Sequence, residues 1–282
     1  MNKQLRIVGA VAMSWISWCG MSMEAWAVDG VVLIDQARAL TGNITPGDAP
    51  GFPISITRSG SYRLSSQLTL PSNRNLNAIE ISNNSTISLD LNGFAIVGPC
   101  GPGLEPRPCD GKGGTGKGVL TLGGFDGADI RNGTIRYMAS DGVDIASNAR
   151  LEHVRLIANA GNGATLGRGS LVVNCSIGDN YGHGILGQHI GLSRGAFIEN
   201  VITFNGHVDP VTHQRYGAGI AVSSGVELGG LLIFNNAITD NASYGIDAGT
   251  NPSAGYGGNV ITGNNGGDEQ VDGGTDMGNN LF

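Results

Sequence analysis

An internal repeat constrains the fold of this chain more than any other feature of its sequence. A small or polar residue, a glycine and an apolar residue recur six times, with the glycines at positions 118, 142, 163, 184, 219 and 245. Two further series, mostly of asparagine, keep step with these glycines. The first series is Asn132, His153, Asn174, Asn200, Asn236 and Asn259, and the second is Asn159, Asn180, Asn205, Asn241 and Asn264. Repeats of about 20–50 residues indicate a solenoid, in which each unit packs against its neighbours.

The content of each unit indicates the kind of solenoid. Three short apolar runs separated by Gly and Asn turns, in about 21 residues, are typical of one rung of a parallel β-helix. Successive strand side chains point to opposite faces, so the alternation predicts inward-facing stacks. The first stack is Val119, Val143, Ala164, Ile185, Ile220 and Ile246, and the second is Ile130, Leu151, Val172, Ile198 and Phe234.

Composition excludes the main alternatives. With 48 glycines in 282 residues and only 14% charged residues, the chain cannot be a coiled coil or a helical bundle. The glycines keep no three-residue period, which excludes collagen. We therefore predict an all-β protein, a single-stranded right-handed parallel β-helix over residues 61–267, with the hand taken from the general preference of parallel β crossovers.

The first 27 residues have the features of a secretory signal peptide. Lys3 and Arg6 precede an apolar stretch that ends in the small residues of Ala25-Trp26-Ala27, so we predict cleavage before Val28. A retained membrane anchor is the alternative interpretation. Cleavage predicts a secreted or periplasmic protein that has no membrane association afterwards.

The ends of the repeat need caps, because an open solenoid end exposes core and edge hydrogen bonds. Residues 28–60 are predicted to form an N-terminal cap and loop, with a short helix between Val31 and Leu40, and residues 268–282 a C-terminal cap. Without Lys3, Arg6 and Glu24, the 16 basic and 23 acidic side chains become 14 and 22. This acidic balance disfavours nucleic acid as a partner. The oligomeric state is left open.

The cysteines suit an oxidising compartment. Cys100 and Cys109 bracket eight residues rich in Pro and Gly, which are too few to order themselves by packing. We predict a disulfide between them. Cys175 follows Asn174 in the repeat and is predicted to be a buried thiol.

Two insertions interrupt the repeat, at Pro99–Thr115 and Gly206–Tyr216. Because rungs are close-packed along the axis, an insertion must leave at a turn and stand on the surface. Each insertion immediately precedes a repeat glycine, Gly118 or Gly219, so both are predicted to leave the same corner, four rungs or about 19 Å apart. Two walls on one corner define a groove, which suits an extended polysaccharide chain.

Histidines and charged residues concentrate in and beside this predicted groove. Histidine moves protons near neutral pH, and arginine can neutralise a uronate carboxylate, so the candidate catalytic residues are His183, His213 and Arg215. The candidate substrate-binding residues are Lys117, Asp141, Asp144, His207, Asp209 and Tyr216. Asp141 and Asp144 could instead hold Ca²⁺, although two carboxylates are few for that ion, and no other cofactor is indicated. Each of these residues also has a purely structural interpretation as a turn or loop residue.

The glycine anchors and Asn series, with Gly47-Asp48-Ala49-Pro50-Gly51-Phe52-Pro53 and Leu89-Asp90-Leu91-Asn92-Gly93-Phe94, resemble the pectate-lyase-like superfamily of right-handed parallel β-helix proteins. The closer likeness is to exported bacterial β-helix repeat proteins of undefined function. The resemblance covers nearly all of the mature chain and implies a polysaccharide partner. One hypothesis is an exported protein that binds, and in its stronger form cleaves by β-elimination, an extracellular polysaccharide. The alternative is a non-catalytic structural or surface-interaction module, since this superfamily includes enzymes, adhesins and members without known activity.

Overall fold

The computed structural model describes residues 30–82, 86–101, 114–123, 127–188, 194–222, 230–249, 253–265 and 270–282, and Val31–Phe282 forms one compact unit. These residues form one helix, α1 (Gln36–Thr41), and 27 short strands. The strands are β1 (Val32–Ile34), β2 (Ile54–Ile56), β3 (Gly60–Leu64), β4 (Leu68–Thr69), β5 (Ile79–Ile81), β6 (Ile87–Asp90), β7 (Ala95–Val97), β8 (Val119–Thr121), β9 (Ala128–Arg136), β10 (Val143–Ser147), β11 (Arg150–Ile157), β12 (Ala164–Arg168), β13 (Leu171–Val173), β14 (Ser176–Gly178), β15 (Ile185–Gly187), β16 (Ala196–Ile198), β17 (Val201–Thr203), β18 (His207–Val208), β19 (Arg215–Tyr216), β20 (Ile220–Val222), β21 (Leu231–Phe234), β22 (Ala237–Thr239), β23 (Ile246–Gly249), β24 (Ala254–Gly257), β25 (Val260–Thr262), β26 (Val271–Gly273) and β27 (Thr275–Asp276).

The strands stack as the rungs of a parallel β-helix. A nine-stranded sheet runs in the order β2-β5-β8-β10-β12-β15-β20-β23-β26, and every pairing in it is parallel. A 16-stranded sheet supplies the other faces, because its long strands β9 and β11 each pair with two separate strands of a neighbouring rung. The prediction of an all-β parallel solenoid is confirmed.

The first predicted stack lies in the core as expected. Along the nine-stranded sheet, the apolar residue of each repeat pairs with its equivalent in the next, from Val119 to Ile246. All six of these side chains are fully buried. Gly163 shows why glycine precedes them, because a Cβ there would lie 2.6 Å from the carbonyl oxygen of Gly184 and 2.9 Å from Nδ2 of Asn180. The close approach of neighbouring rungs thus requires glycine at this position.

The second predicted stack is wrong by one residue in its later members. Ile130, Leu151 and Val172 are buried, but Val172 pairs with Phe197, and Phe197 pairs with Ile233. Phe197 and Ile233 therefore fill the core where Ile198 and Phe234 were expected. A one-residue slip moves every side chain of a strand to the other face, so this error inverts the assignment of both strands.

The two asparagine series occupy different environments. The second series is a continuous buried ladder, in which Nδ2 of each residue donates to Oδ1 of the next at 2.8–3.0 Å, from Asn159 to Asn264. In the first series only Asn200, Asn236 and Asn259 join such a ladder. Asn132, His153 and Asn174 instead precede the ladder position and adopt left-handed backbone conformations, with φ of 58°, 53° and 53°. Cys175, the residue after Asn174, holds the ladder position and donates its backbone N–H to Oδ1 of Asn200.

The sheets extend further toward both ends than residues 61–267. Strands β1 and β2 already pair with β3 and β5, so the N-terminal segment contributes strands as well as the expected helix. Helix α1 begins after Asp35, whose side chain accepts the backbone N–H of Arg38. At the other end, β26 and β27 pair with β23 and β24, and Leu281 bridges to Val260. Among the described residues, no helix is long and apolar enough to cross a membrane.

Candidate functional site

The insertion at Gly206–Tyr216 is a β-hairpin that connects β17 of the 16-stranded sheet to β20 of the nine-stranded sheet. Strands β18 and β19 pair antiparallel, with His207 opposite Tyr216. At its tip, the Asp209 carboxylate accepts the backbone N–H groups of Val211 and Thr212 at 2.8 and 2.7 Å, and these bonds lower the pKa of Asp209. Asp209 therefore shapes the turn. His213 is exposed at the same tip, with a φ of 58°.

A cavity of about 510 Å³ opens between this hairpin and the nine-stranded sheet. Four of the sequence-predicted residues line it, namely His183, His207, Arg215 and Tyr216. The other five, Lys117, Asp141, Asp144, Asp209 and His213, do not line it. Tyr181 and Asp247, which are not among these nine residues, also line it, together with the polar residues Asn162 and Ser243. We call this space the hairpin cavity.

Three stacked rings form one side of the hairpin cavity. The His207 ring lies 3.7 Å from the Tyr181 ring and 5.2 Å from the Tyr216 ring, centroid to centroid, with interplanar angles of 16° and 18°. Nδ1 of His207 lies 3.0 Å from the carbonyl oxygen of Tyr181, which fixes the ring in this stack. The hydroxyl of Tyr216 donates to Oε1 of Gln214 at 2.7 Å. The stack thus places three partly exposed rings beside the polar groups of the cavity.

His183 is held in one tautomer by the backbone of the next rung. The N–H of Ala218 donates to Nδ1 of His183 at 2.9 Å, so Nδ1 carries no proton and the neutral ring has its proton on Nε2. The His183 backbone N–H in turn donates to Oδ1 of Asn162 at 2.8 Å. Burial lowers the pKa of His183, which favours this neutral form. In the hairpin cavity His183 is therefore a hydrogen-bond donor.

The predicted binding residues Lys117, Asp141 and Asp144 form an ion-paired cluster rather than an open binding surface. The Lys117 ammonium contacts Oδ2 of Asp144 and lies 3.8 Å from Oδ2 of Asp141. Asp141 also accepts the backbone N–H of Asn162 at 2.7 Å and the hydroxyl of Thr165 at 3.0 Å. Burial raises the pKa of Asp141 despite these partners. Its carboxylate oxygens are therefore engaged by the protein itself.

The Ca²⁺ alternative gains no support from this cluster. In the part of the chain that the structure describes, no three His, Cys, Asp or Glu side chains are grouped so that they could hold a metal ion. Hard cations such as Ca²⁺ require six to eight oxygen ligands. The Lys117 ammonium occupies the space between Asp141 and Asp144 that such an ion would need.

Asp247 lies on the outward row of the nine-stranded sheet. The row follows the buried apolar stack by one residue, and in it Asp144 pairs with Thr165, and Asp247 pairs with Ala221 and Asp272. Burial and the neighbouring Asp272 carboxylate raise the pKa of Asp247. In the sequence, Asp247 follows the buried Ile246 by one position, as Asp144 follows Val143. Extending the predicted groove beyond the hairpin would therefore have included Asp247.

The predicted disulfide falls partly outside the described residues. Cys100 is 3% exposed, but Cys109 lies in residues 102–113, which are not described, as does most of the Pro99–Thr115 insertion. The Cys100–Cys109 pair therefore stays a prediction. Cys175 is free and buried, as predicted, and burial raises its pKa to about 11. A thiol with such a pKa is unreactive at neutral pH.

Comparisons with known proteins identify the scaffold. A family model described as a right-handed beta helix region matches residues 109–282. One solved structure, the A-module of mannuronan C-5 epimerase AlgE4 from Azotobacter vinelandii, is 14% identical over 90% of this chain and 84% of that one, with a TM-score of 0.37. This likeness is too remote to indicate an activity. The search of curated proteins gave no match.

Proposed function

Because the chain belongs to the family of right-handed β-helix proteins, we propose that it is an exported protein that binds an extracellular polysaccharide at the hairpin cavity. The fold itself does not imply a function, so the proposal depends on the site. Its main support is the cavity of about 510 Å³ that places the stacked rings of Tyr181, His207 and Tyr216 next to polar groups. Sugars present apolar C–H faces and hydroxyl edges, and this combination of flat rings and polar groups complements both.

The polar groups of the cavity offer both donors and acceptors to sugar hydroxyls. His183 presents its Nε2–H, and the Asp247 carboxylate accepts. Arg215 lies on the hairpin side, where its Nη1 donates to the carbonyl oxygen of Asn265 at 3.1 Å. The remaining guanidinium N–H groups of Arg215 can donate to a ligand. The cavity lining extends over three adjacent rungs, from Leu186 on β15 to Asp247 on β23, which suits a chain longer than one sugar.

Binding has more support than cleavage by β-elimination. That reaction needs a base for the proton beside a uronate carboxylate and a cation for the carboxylate itself. His183 carries its proton on Nε2 and accepts Ala218 N–H at Nδ1, so neither nitrogen is free to accept a proton. Of the cations, Lys117 is paired with Asp141 and Asp144, which leaves Arg215 for a uronate carboxylate but no base at His183. We therefore propose binding as the function of the site.

A glycan array probed with the mature protein tests this proposal, with Tyr181→Ala and Tyr216→Ala as the diagnostic variants. Truncating an aromatic anchor should weaken binding about fivefold or more. Phe204→Ala is the matched control, because Phe204 is 59% exposed yet does not line the cavity. If no glycan binds, the proposal fails and the alternative, a structural module, is favoured. Release of products with a new double bond would instead show cleavage.

Export is tested separately. Expression in a host with a secretion pathway should yield a chain whose N-terminal residue is Val28. An uncleaved, membrane-retained chain would favour the anchor interpretation of residues 1–27.

A further inference from the structure

The outward rows of the nine-stranded sheet carry an excess of carboxylates. One row passes in register through Glu80, Leu120, Asp144, Thr165, Leu186, Ala221, Asp247 and Asp272. The residue two positions before each buried apolar residue forms a second row, which includes Lys117, Asp141 and His183. Among the described residues of these two rows there are five carboxylates and one ammonium. With about 4.8 Å between rungs, neighbouring carboxylates lie within one Debye length of each other.

The basic residues of these two rows already have partners within the protein. The Lys117 ammonium is paired with Asp141 and Asp144. His183 is neutral because its Nδ1 accepts the Ala218 N–H. Arg215 is the remaining cation of the cavity lining, and it belongs to the hairpin rather than to the nine-stranded sheet. At the cavity, a uronate chain, with a carboxylate on every sugar, would therefore meet the negative charges of Asp247 and Asp272 on two adjacent rungs.

At the downstream end, Asp247 and Asp272 lack a cationic partner. They sit side by side on adjacent rungs, and no Lys, Arg or His within the described part of the chain forms an ion pair with either. Asp247 lines the hairpin cavity together with the ring stack. The aromatic rings and Asp247 thus line one cavity, and Asp272 lies beside Asp247 on the next rung. An ammonium on the sugar would be attracted by both carboxylates.

We propose that the polysaccharide bound at the hairpin cavity carries free amino groups, with a hexosamine ammonium placed beside Asp247 and Asp272. This inference rests on the proposed function, because it specifies the ligand of the same site. The ring stack binds the sugar face, and the carboxylate pair selects the amine over an N-acetylated or carboxylated sugar. The ligand class is thus a partly de-N-acetylated hexosamine polymer.

The test compares three probes by titration at moderate salt, namely soluble chitosan oligomers, the same oligomers fully N-acetylated, and oligogalacturonate. The double variant Asp247→Asn with Asp272→Asn removes the carboxylate pair but keeps its shape. The matched control is Asp129→Asn with Asp179→Asn, which changes the net charge equally at two exposed sites, one on β9 and one in the turn after β14. Circular dichroism of each variant verifies the fold.

We expect the wild type to prefer the amine-bearing oligomers. The Asp247/Asp272 variant should lose about five- to tenfold in affinity for them, as two charge pairs of ordinary strength require, while the Asp129/Asp179 control should stay close to wild type. Tighter binding of oligogalacturonate, or equal losses in the two double variants, overturns the inference but leaves polysaccharide binding standing. Failure to bind any of the three probes or any arrayed glycan removes the proposed function and the inference together.

Discussion

The buried asparagine ladder should contribute strongly to stability, and Asn205→Ala measures that contribution. Asn205 is 1% exposed, and its Oδ1 accepts Nδ2 of Asn180 at 2.9 Å. Its own Nδ2 donates to Oδ1 of Asn241 at 3.0 Å and to the carbonyl oxygen of Ile177 at 3.1 Å. Each such bond is worth about 1 kcal/mol net, and the truncation also leaves a cavity, so we expect a loss of about 3–4 kcal/mol. That is a large part of the 5–15 kcal/mol typical of folded domains.

Urea unfolding followed by far-UV circular dichroism is the appropriate assay. The three tryptophans of the sequence are Trp15, Trp18 and Trp26, so a chain cleaved before Val28 has no tryptophan fluorescence to follow. Asn174→Gly is the matched control, because Asn174 is exposed and glycine tolerates its φ of 53°. A midpoint for Asn205→Ala within the error of wild type would refute the reasoning. Equal destabilisation by Asn174→Gly would show that burial of the ladder is not the cause.

Three further experiments have definite expected outcomes. Because the pKa of Asp141 is raised in the folded state, wild-type stability should fall as pH rises from about 4 through that pKa. Urea midpoints measured over this pH range should show the fall for wild type and not for Asp141→Asn. The same pH profile in both proteins would contradict the raised pKa. Gly163→Ala should lower stability by about 2–3 kcal/mol in the same assay, since its Cβ would overlap the next rung, and a neutral effect would mean that the rungs can separate. Thiol titration should find no reactive group in the native mature chain and one, Cys175, after unfolding without reductant; three would disprove the Cys100–Cys109 bridge.

The parts of the fold that depend on close packing could be predicted from the sequence. Gly163 and its equivalents are required wherever two rungs approach, so their spacing marks the rungs directly. The register from Val119 to Ile246 follows from them, and the structure confirms it. Close packing permits few residue types at such positions, which is why the sequence alone identifies them.

The corner positions could not be assigned so securely. Asparagine suits both the exposed left-handed residue, as at Asn174, and the buried ladder residue that follows, as at Asn200. The sequence alone does not distinguish these two neighbouring positions. Aligning Asn174 with Asn200 therefore introduced a one-residue slip, which also placed Ile198 in the core instead of Phe197.

The candidate site depended on contacts between distant residues. The sequence indicated an inserted wall at Gly206–Tyr216, and the structure shows that this wall is the hairpin of β18 and β19. Two contacts could not be predicted from the sequence. One is the stacking of Tyr181 on His207, and the other is the hydrogen bond from Arg215 to Asn265, 50 residues away. The cavity consequently includes Asp247, beyond the groove predicted between the two insertions.

Because the rungs stack in register, the length of the nine-stranded sheet can change only by whole rungs. Gly142, Gly163 and Gly184 are separated by identical intervals of 21 residues, so removing residues 142–162 would join Asp141 to Gly163 and preserve the repeat across the junction. The surface upstream of the hairpin would shorten by one rung, about 4.8 Å, and lose Asp144, and Asp141 would take the place of Asn162 beside His183 at the hairpin cavity. Duplicating the same segment would lengthen it equally. Gain or loss of whole units thus offers relatives of this chain a simple way to match polymers of different repeat length while they keep the same hairpin.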